Sequence, residues 1–152
     1  MRKEIIYLIM NIIGVLALLG STLFVIIMWS QIPDQIPTHY NFAGEADDYG
    51  GKGSLIFMMV LAWFVFILIT VLMRFPNTWN MPVKVTEENR SRLYAITRAM
   101  LEVLKIFTTI LFAVMFTTTA AGVPLPQWIV IILIAGVLLT VAAGMFLMHK
   151  NK

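Results

Sequence analysis

Four apolar runs, each long enough to cross a bilayer, decide what this chain can fold into. They cover residues 5–29, 54–73, 100–121 and 128–148, and a spanning helix needs about 20 mostly apolar residues. Hydrocarbon offers no partner to the backbone, so runs of this length must close their hydrogen bonds internally, as helices. Of the 152 residues, 60% are hydrophobic and only 12% charged, about half the charge of an ordinary soluble domain. The length suits a single membrane domain, 1–152, without a separate soluble module. The expected fold is all-α, an integral membrane four-helix transmembrane bundle. There is no cysteine, so disulfide and thiolate chemistry are excluded. The first run is longer than a signal-peptide core and lacks a small-residue cleavage site, so it is expected to remain as a span.

The cations are unevenly distributed. Arg2 and Lys3 precede the first run. Arg74, Lys84, Arg90, Arg92, Arg98 and Lys105 fall between the second and third apolar cores, and Lys150 and Lys152 follow the fourth. Lys52 alone lies in a connection of the other parity. Lys and Arg collect on the cytoplasmic side. Both termini and the 74–99 segment are therefore expected inside a cytoplasmic membrane, with loop 30–53 and the short 122–127 turn outside.

Loop 30–53 is the long polar stretch of the chain. It packs two prolines, one histidine, four acids, two tyrosines, an asparagine and four glycines between two spans. Pro33 and Pro37 stiffen its start and favour extended backbone. Thr38-His39-Tyr40-Asn41-Phe42 alternates polar and aromatic residues, the pattern of a short strand or extended segment. From Ala43 to Gly53 the chain is rich in Gly and Asp and reads as turn throughout. An ordered extracellular cap is expected, and a loop of this length is usually functional.

Polar residues inside the spans are few. Asn11 reads as packing glue, and Gly14, Gly20, Ser21 and Thr22 as small positions where helices approach. The second span carries no acid, base, Asn or Gln; its Trp63 and the phenylalanines at 57, 64 and 66 read as lipid-facing or packing residues. Thr86 reads as an N-cap, with Glu87 and Glu88 in the first turn of a long helix. On that helix Arg98, Glu102 and Lys105 are spaced four and three apart and share a face. They are expected as a self-paired cluster that snorkels at the interface, with a buried coupling site as the sharper alternative. Gly136, Thr140 and Gly144 form a small-residue seam on the last span, and His149 is expected at the interface.

Catalytic signatures are missing: there is no metalloprotease helix motif, phosphate-binding glycine loop or nucleophile elbow. His39 and His149 fall on opposite sides of the expected topology, so they cannot share a zinc ion. His39, Glu45, Asp47 and Asp48 are weak candidates for a divalent cation, but their spacing fits no known coordination loop. More simply, the acids cap turns and His39 bonds within the loop. No cofactor is expected, and an intramembrane transport path would need polar residues that the second and fourth spans do not supply.

The residues Pro33-Asp34-Gln35-Ile36-Pro37-Thr38-His39-Tyr40-Asn41, Gly44-Glu45, Asp47 or Asp48, Tyr49-Gly50 and Lys52 resemble the signature of a bacterial membrane-protein family of unknown function. That family's domain also forms the N-terminal part of SdpI-type immunity proteins. The stretch Asn80 to Asn89, running on to Tyr94, Arg98, Met100 and Leu104-Lys105, is similar to the second half of its short members. SdpI proteins protect a producer cell from a secreted toxic peptide and help signal its presence, partly by holding a repressor at the membrane. They carry further C-terminal spans beyond the region of resemblance. The resemblance brings no catalytic residues.

The expected function is that of a non-enzymatic membrane sensor or immunity-like protein. His39, Tyr40, Asn41, Glu45, Asp47, Asp48, Tyr49 and Lys52 would bind an extracellular peptide or toxin, an envelope component or an ion. The four acids and single lysine of the loop suit a cationic ligand. Asn80, Arg98, Glu102 and Lys105 would couple that event to a membrane or cytoplasmic protein partner. Membrane lipid is the other expected partner, and nucleic acid is not. The alternatives are an accessory subunit of a larger membrane complex and, more remotely, a metal-dependent membrane enzyme.

Overall fold

The computed structural model describes residues 2–41 and 45–152, with the side chain of Arg2 left out. Phe42, Ala43 and Gly44, the end of the expected extended segment and the start of the expected turn, lie outside the described residues. The helices are α1 (Arg2–Met28), α2 (Gly53–Leu72), α3 (Arg90–Ala120) and α4 (Gln127–Lys150), with a single 3-10 turn at Pro76–Thr78. All four helices are long and apolar enough to cross a membrane. The outward faces of α1, α2 and α4 carry large bare apolar side chains, among them Ile27, Phe57, Leu139 and Phe146. Exposing so much apolar area to water would be prohibitive, whereas lipid tails accept it. The chain is a multi-pass membrane protein.

α3 is the hub: its principal contacts run to α1, α2 and α4. The buried residues of α1 are Gly14, Leu18, Ser21 and Val25, spaced four, three and four apart, the stripe that one face of a helix presents. α4 meets α3 through the seam expected from its glycines. A methyl group on Gly136 would stand 2.6 Å from the Phe107 ring, and one on Gly144 would stand 2.5 Å from Met100 Sδ. The missing side chains therefore let the two helices close together. The α3–α4 turn is a Schellman closure. Val123 N–H donates to Thr118 O at 3.0 Å and Gly122 N–H to Thr119 O at 3.2 Å, with Gly122 at φ +66°.

The 30–53 segment departs from the all-α expectation. It holds an antiparallel hairpin of β1 (Gln35–Tyr40) and β2 (Ala46–Gly51). Its register pairs Gln35 with Gly51, Pro37 with Tyr49 and Tyr40 with Ala46, with irregularities on either side of His39. β2 falls where turn chemistry alone was expected. Gly50 makes the pairing feasible, because a methyl group there would meet Thr38 Cγ2 at 2.8 Å. Ile32 and Ile36 are 3% and 1% exposed and join a core with Leu18, Val25, Leu55, Phe66, Phe116 and Ala120. The hairpin is thus seated on the end of the bundle by its own aliphatic side chains.

At the other end, residues 73–89 fold against α3. Trp79 donates to Leu72 O at 2.8 Å and packs edge-on against Tyr94, whose hydroxyl lies 3.1 Å from Asn77 Oδ1. The expected N-cap at Thr86 is displaced: α3 starts at Arg90, behind a turn closed by Arg90 N–H to Thr86 O at 3.0 Å. Asn89 accepts from Thr86 N–H at 2.8 Å and donates to Lys84 O at 3.1 Å. Its buried amide ties the loop to the helix start, while Thr86 Oγ1 accepts from Asn89 N–H at 3.4 Å, so Thr86 caps the turn that leads into α3.

Candidate functional site

Two polar regions hang on α3, one at each end of its intramembrane course. The first is the hairpin. Lys52 closes the loop's base, pairing with Asp34 at 2.8 Å, standing 5.6 Å from the Trp29 ring and donating its backbone N–H to Asp34 O at 3.0 Å. The Lys52 hydrogen bond and charge hold the Asp34 carboxyl below the usual aspartate range. His39 Nδ1 lies 2.5 Å from Asp47 Oδ1. Asp48 bonds the Tyr49 amide at 2.9 Å and accepts from the Thr38 hydroxyl at 3.4 Å. Glu45 is held by Asn41: the Asn41 amide donates to its carboxylate at 3.2 Å, and Glu45 N–H donates to Asn41 Oδ1 at 3.0 Å.

The four weak candidates for a cation site, His39, Glu45, Asp47 and Asp48, therefore do not converge. Among the described residues no group of three or more His, Asp or Glu side chains gathers to hold a metal. The acids are divided among local bonds within the hairpin, because each strand position aims its side chain differently. Tyr49 is exposed, while Tyr40 turns toward the bundle. Burial pushes the Tyr40 phenol above its ordinary range, opposed by a hydrogen bond with Thr119 of α3. Tyr40 lines two cavities. One, of about 440 Å³, runs along the start of α4 past Gln127 and Ile131. The other, of about 400 Å³, lies between Pro37, Glu45 and the α3–α4 turn.

The second region is inside the bundle. Glu102 and Lys105 are 2% and 1% exposed, so this part of the expected snorkelling cluster is buried instead. The Lys105 ammonium has three donors and meets three oxygens: Asn11 Oδ1 at 2.7 Å, Glu102 Oε2 at 3.0 Å and Thr70 Oγ1 at 3.3 Å. It also stands 5.1 Å from the Phe66 ring. Asn11 Nδ2 donates to Tyr7 O at 2.7 Å and faces both Glu102 oxygens at 3.3 Å. Three helices thus contribute to one satisfied ion-pair network, the form in which an intramembrane charge is tolerated.

Arg98 continues the line one turn toward the α3 start. It grips Glu4 with both terminal nitrogens, at 2.9 and 2.8 Å, and stacks on Tyr7 at 4.8 Å. Asn80 stands apart from this line, in a cavity beside Met81 and Thr97. The sequence reading missed Thr70 and Glu4. Thr70 sits in a span that offers few polar side chains, and nothing at its position distinguishes a hydroxyl that bonds a distant lysine from one that bonds its own helix. It does both, also donating to Phe66 O at 2.7 Å. Trp63 likewise does more than pack, donating to Thr22 Oγ1 at 3.2 Å.

Residues 5–63 match a domain of unknown function, DUF1648. The match takes in most of α1, the hairpin and the first half of α2. The chain is also similar to an uncharacterized protein of Archaeoglobus fulgidus, 27% identical in an alignment 133 positions long that covers 74% of this chain and 72% of that one. No solved structure matches the chain. The fold and the site thus define a four-helix membrane protein with a hairpin cap and a buried charged network, similar in its first part to DUF1648 domains.

Proposed function

We propose that this protein is a non-enzymatic membrane sensor or immunity-like module of the cytoplasmic membrane. In this reading the hairpin faces outside, and both termini and residues 74–99 face the cytoplasm. The supporting charge pattern is one-sided: Lys3, Arg74, Lys84, Arg90, Arg92, Lys150 and Lys152 belong to the end opposite the hairpin, and Lys52 to the hairpin, as the positive-inside tendency requires. The resemblance of the hairpin sequence to SdpI-type proteins points the same way, toward recognition of a secreted cationic peptide.

The observation that carries the reading is the shared helix. Tyr40 of the hairpin meets Thr119 of α3, and Lys105 anchors the buried network roughly 21 Å further along the same helix at 1.5 Å per residue. A ligand that shifts the hairpin would act on α3, and α3 would carry the shift to Arg98 and the loop that holds Asn80. The exposed hairpin groups His39, Asn41, Glu45, Asp47, Asp48 and Tyr49, beside Tyr40 and the Lys52 pair, form the recognising surface.

Two experiments test this. The chain has no native cysteine, so Asp48→Cys and Asn151→Cys give clean single-thiol reporters. A membrane-impermeant maleimide should label the first in intact cells and the second only after lysis; the reverse pattern would overturn the orientation. Cells expressing the protein should then survive a higher dose of a cationic amphipathic peptide than cells without it, and Asp47→Asn/Asp48→Asn should lose that margin. Equal survival with and without the protein would count against the immunity reading.

A further inference from the structure

At the end opposite the hairpin, the start of α3 and the end of α4 enclose a cavity of about 510 Å³ whose wall carries Lys84, Arg92, His149 and Lys152, with Glu88 as its one acid. The ion pairs among the described residues are His39–Asp47, Lys52–Asp34, Arg98–Glu4 and Lys105–Glu102. Lys84, Arg92 and Lys152 thus have no carboxylate partner among the described residues. Three unneutralised cations around one concavity form a site for an anion, since like charges so gathered repel until a counter-charge enters.

A second cavity, of about 410 Å³, shares Pro82 with the first and is lined by Met81, Met100, Val141, Met145 and Met148. Its residues lie toward the middle of the bundle from the cationic ones: Met100 beyond Arg92 on α3, and Met145 on α4 before Lys152, which follows the end of that helix. At 1.5 Å per residue the offset is about 10 Å. Flexible methionines adapt to an irregular apolar guest. The antiparallel α3–α4 register, fixed by the Phe107–Gly136 and Met100–Gly144 contacts, brings both cavities to one seam. α4 rises about 30 Å from Gln127 to Met148 at the helical pitch, so the basic cavity falls at headgroup height and the methionine cavity within the hydrocarbon.

We infer that this paired cavity is a binding site for an anionic phospholipid, its phosphate held by Lys84, Arg92 and Lys152 and an acyl chain entering among the methionines. Basic pockets between spanning helices are a recurring way to hold such headgroups. The geometry commits to a lipid in preference to a free phosphate, because a small anion would leave the adjoining apolar cavity unused. The inference concerns a different surface from the hairpin and stands without the sensor reading.

Native mass spectrometry of the full chain in mild detergent tests it, with phosphatidylglycerol, phosphatidylcholine and inorganic phosphate added separately. Phosphatidylglycerol should be retained well above phosphatidylcholine. Lys84→Gln/Arg92→Gln should weaken it by about tenfold or more, at about 1 kcal/mol per basic residue near an anionic headgroup. Lys150→Gln, a cation outside the cavity wall, should leave it unchanged. Met145→Trp, which fills the apolar cavity, should expel the lipid. Equal retention of the two lipids, or unchanged phosphatidylglycerol binding in the double variant, would overturn the proposal. So would inorganic phosphate displacing phosphatidylglycerol at equal concentration, which would leave a small-anion site only. Circular dichroism of each variant guards against a folding defect, and the surface Lys84→Gln/Arg92→Gln pair keeps the test valid if Met145→Trp does not fold.

Discussion

The hairpin and the buried network are both polar, and they solve the same problem in opposite ways. The hairpin keeps its charges at the surface and pairs them locally: Asp34 with Lys52, His39 with Asp47, Glu45 with Asn41. Each of those partners lies within 18 residues in sequence, and water shares the work. The network draws Asn11, Thr70, Glu102 and Lys105 from three helices and buries the Glu102–Lys105 pair inside the bundle. A surface ion pair is typically worth about 0–1 kcal/mol. A buried pair gains little over an apolar substitute, yet breaking one side of it is severe. Polar residues in the hairpin can therefore change for the sake of a ligand, whereas those in the network hold the bundle in one arrangement.

The sharpest way to break this comparison is Lys105→Met. It strands Glu102 in the bundle and should destabilise the protein by about 3–5 kcal/mol, read as a lower melting temperature in detergent. Lys105→Met/Glu102→Leu should recover most of that loss, since paired apolar replacements are often neutral. A double variant as unstable as the single one would mean that the network contributes more than mutual neutralisation.

Next in size is Ile36→Ala, which removes the fully buried anchor of the hairpin. Emptying such a site costs about 2–5 kcal/mol. If the hairpin moves as a separate unit, the loss should appear first as faster amide exchange in residues 35–51, with the helices little affected. Uniform loss of protection would instead show that the cap and the bundle unfold together.

The smallest effect is a pH dependence at the loop base. Lys52 lowers the folded-state pKa of Asp34. A depressed carboxylate pKa contributes stability that is present above its unfolded value, near 4, and is lost as pH falls through the lower folded one. Melts between pH 5 and pH 3 should therefore show a slight acid-side loss of hairpin stability, and Lys52→Met should remove that component. Because the pair is exposed, salt should weaken it as well.

The four spans were legible because hydrocarbon length is a one-dimensional constraint: the run of apolar residues must match the bilayer, whatever the neighbours do. The Gly136–Thr140–Gly144 seam was legible for a related reason, since a helical period places those residues on one face. The hairpin was only half visible. The alternation in Thr38 to Asn41 marked β1, but Ala46–Gly51 carries two acids and two glycines, poor strand formers that become a strand because Ile36 and Ile32 fix β1 on the bundle beside them. The directions of His39, Glu45, Asp47 and Asp48 were hidden for the same reason, as register and the irregularities beside His39 set where each side chain points.

The spacing of Arg98, Glu102 and Lys105 along the sequence established a common helix face. It left undecided whether that face meets lipid headgroups or protein, since a lysine with a four-carbon stem serves either. The answer required Asn11 and Thr70 to arrive from other helices with oxygens at hydrogen-bonding distance. By itself the sequence determined the number of spans, the helical period of their packing faces and the gathering of cations toward one end, because each is local or additive along the chain. Only the tertiary structure decided which charges are buried, what satisfies them and which cations are left facing a cavity, because those depend on groups far apart in sequence meeting within a few ångströms.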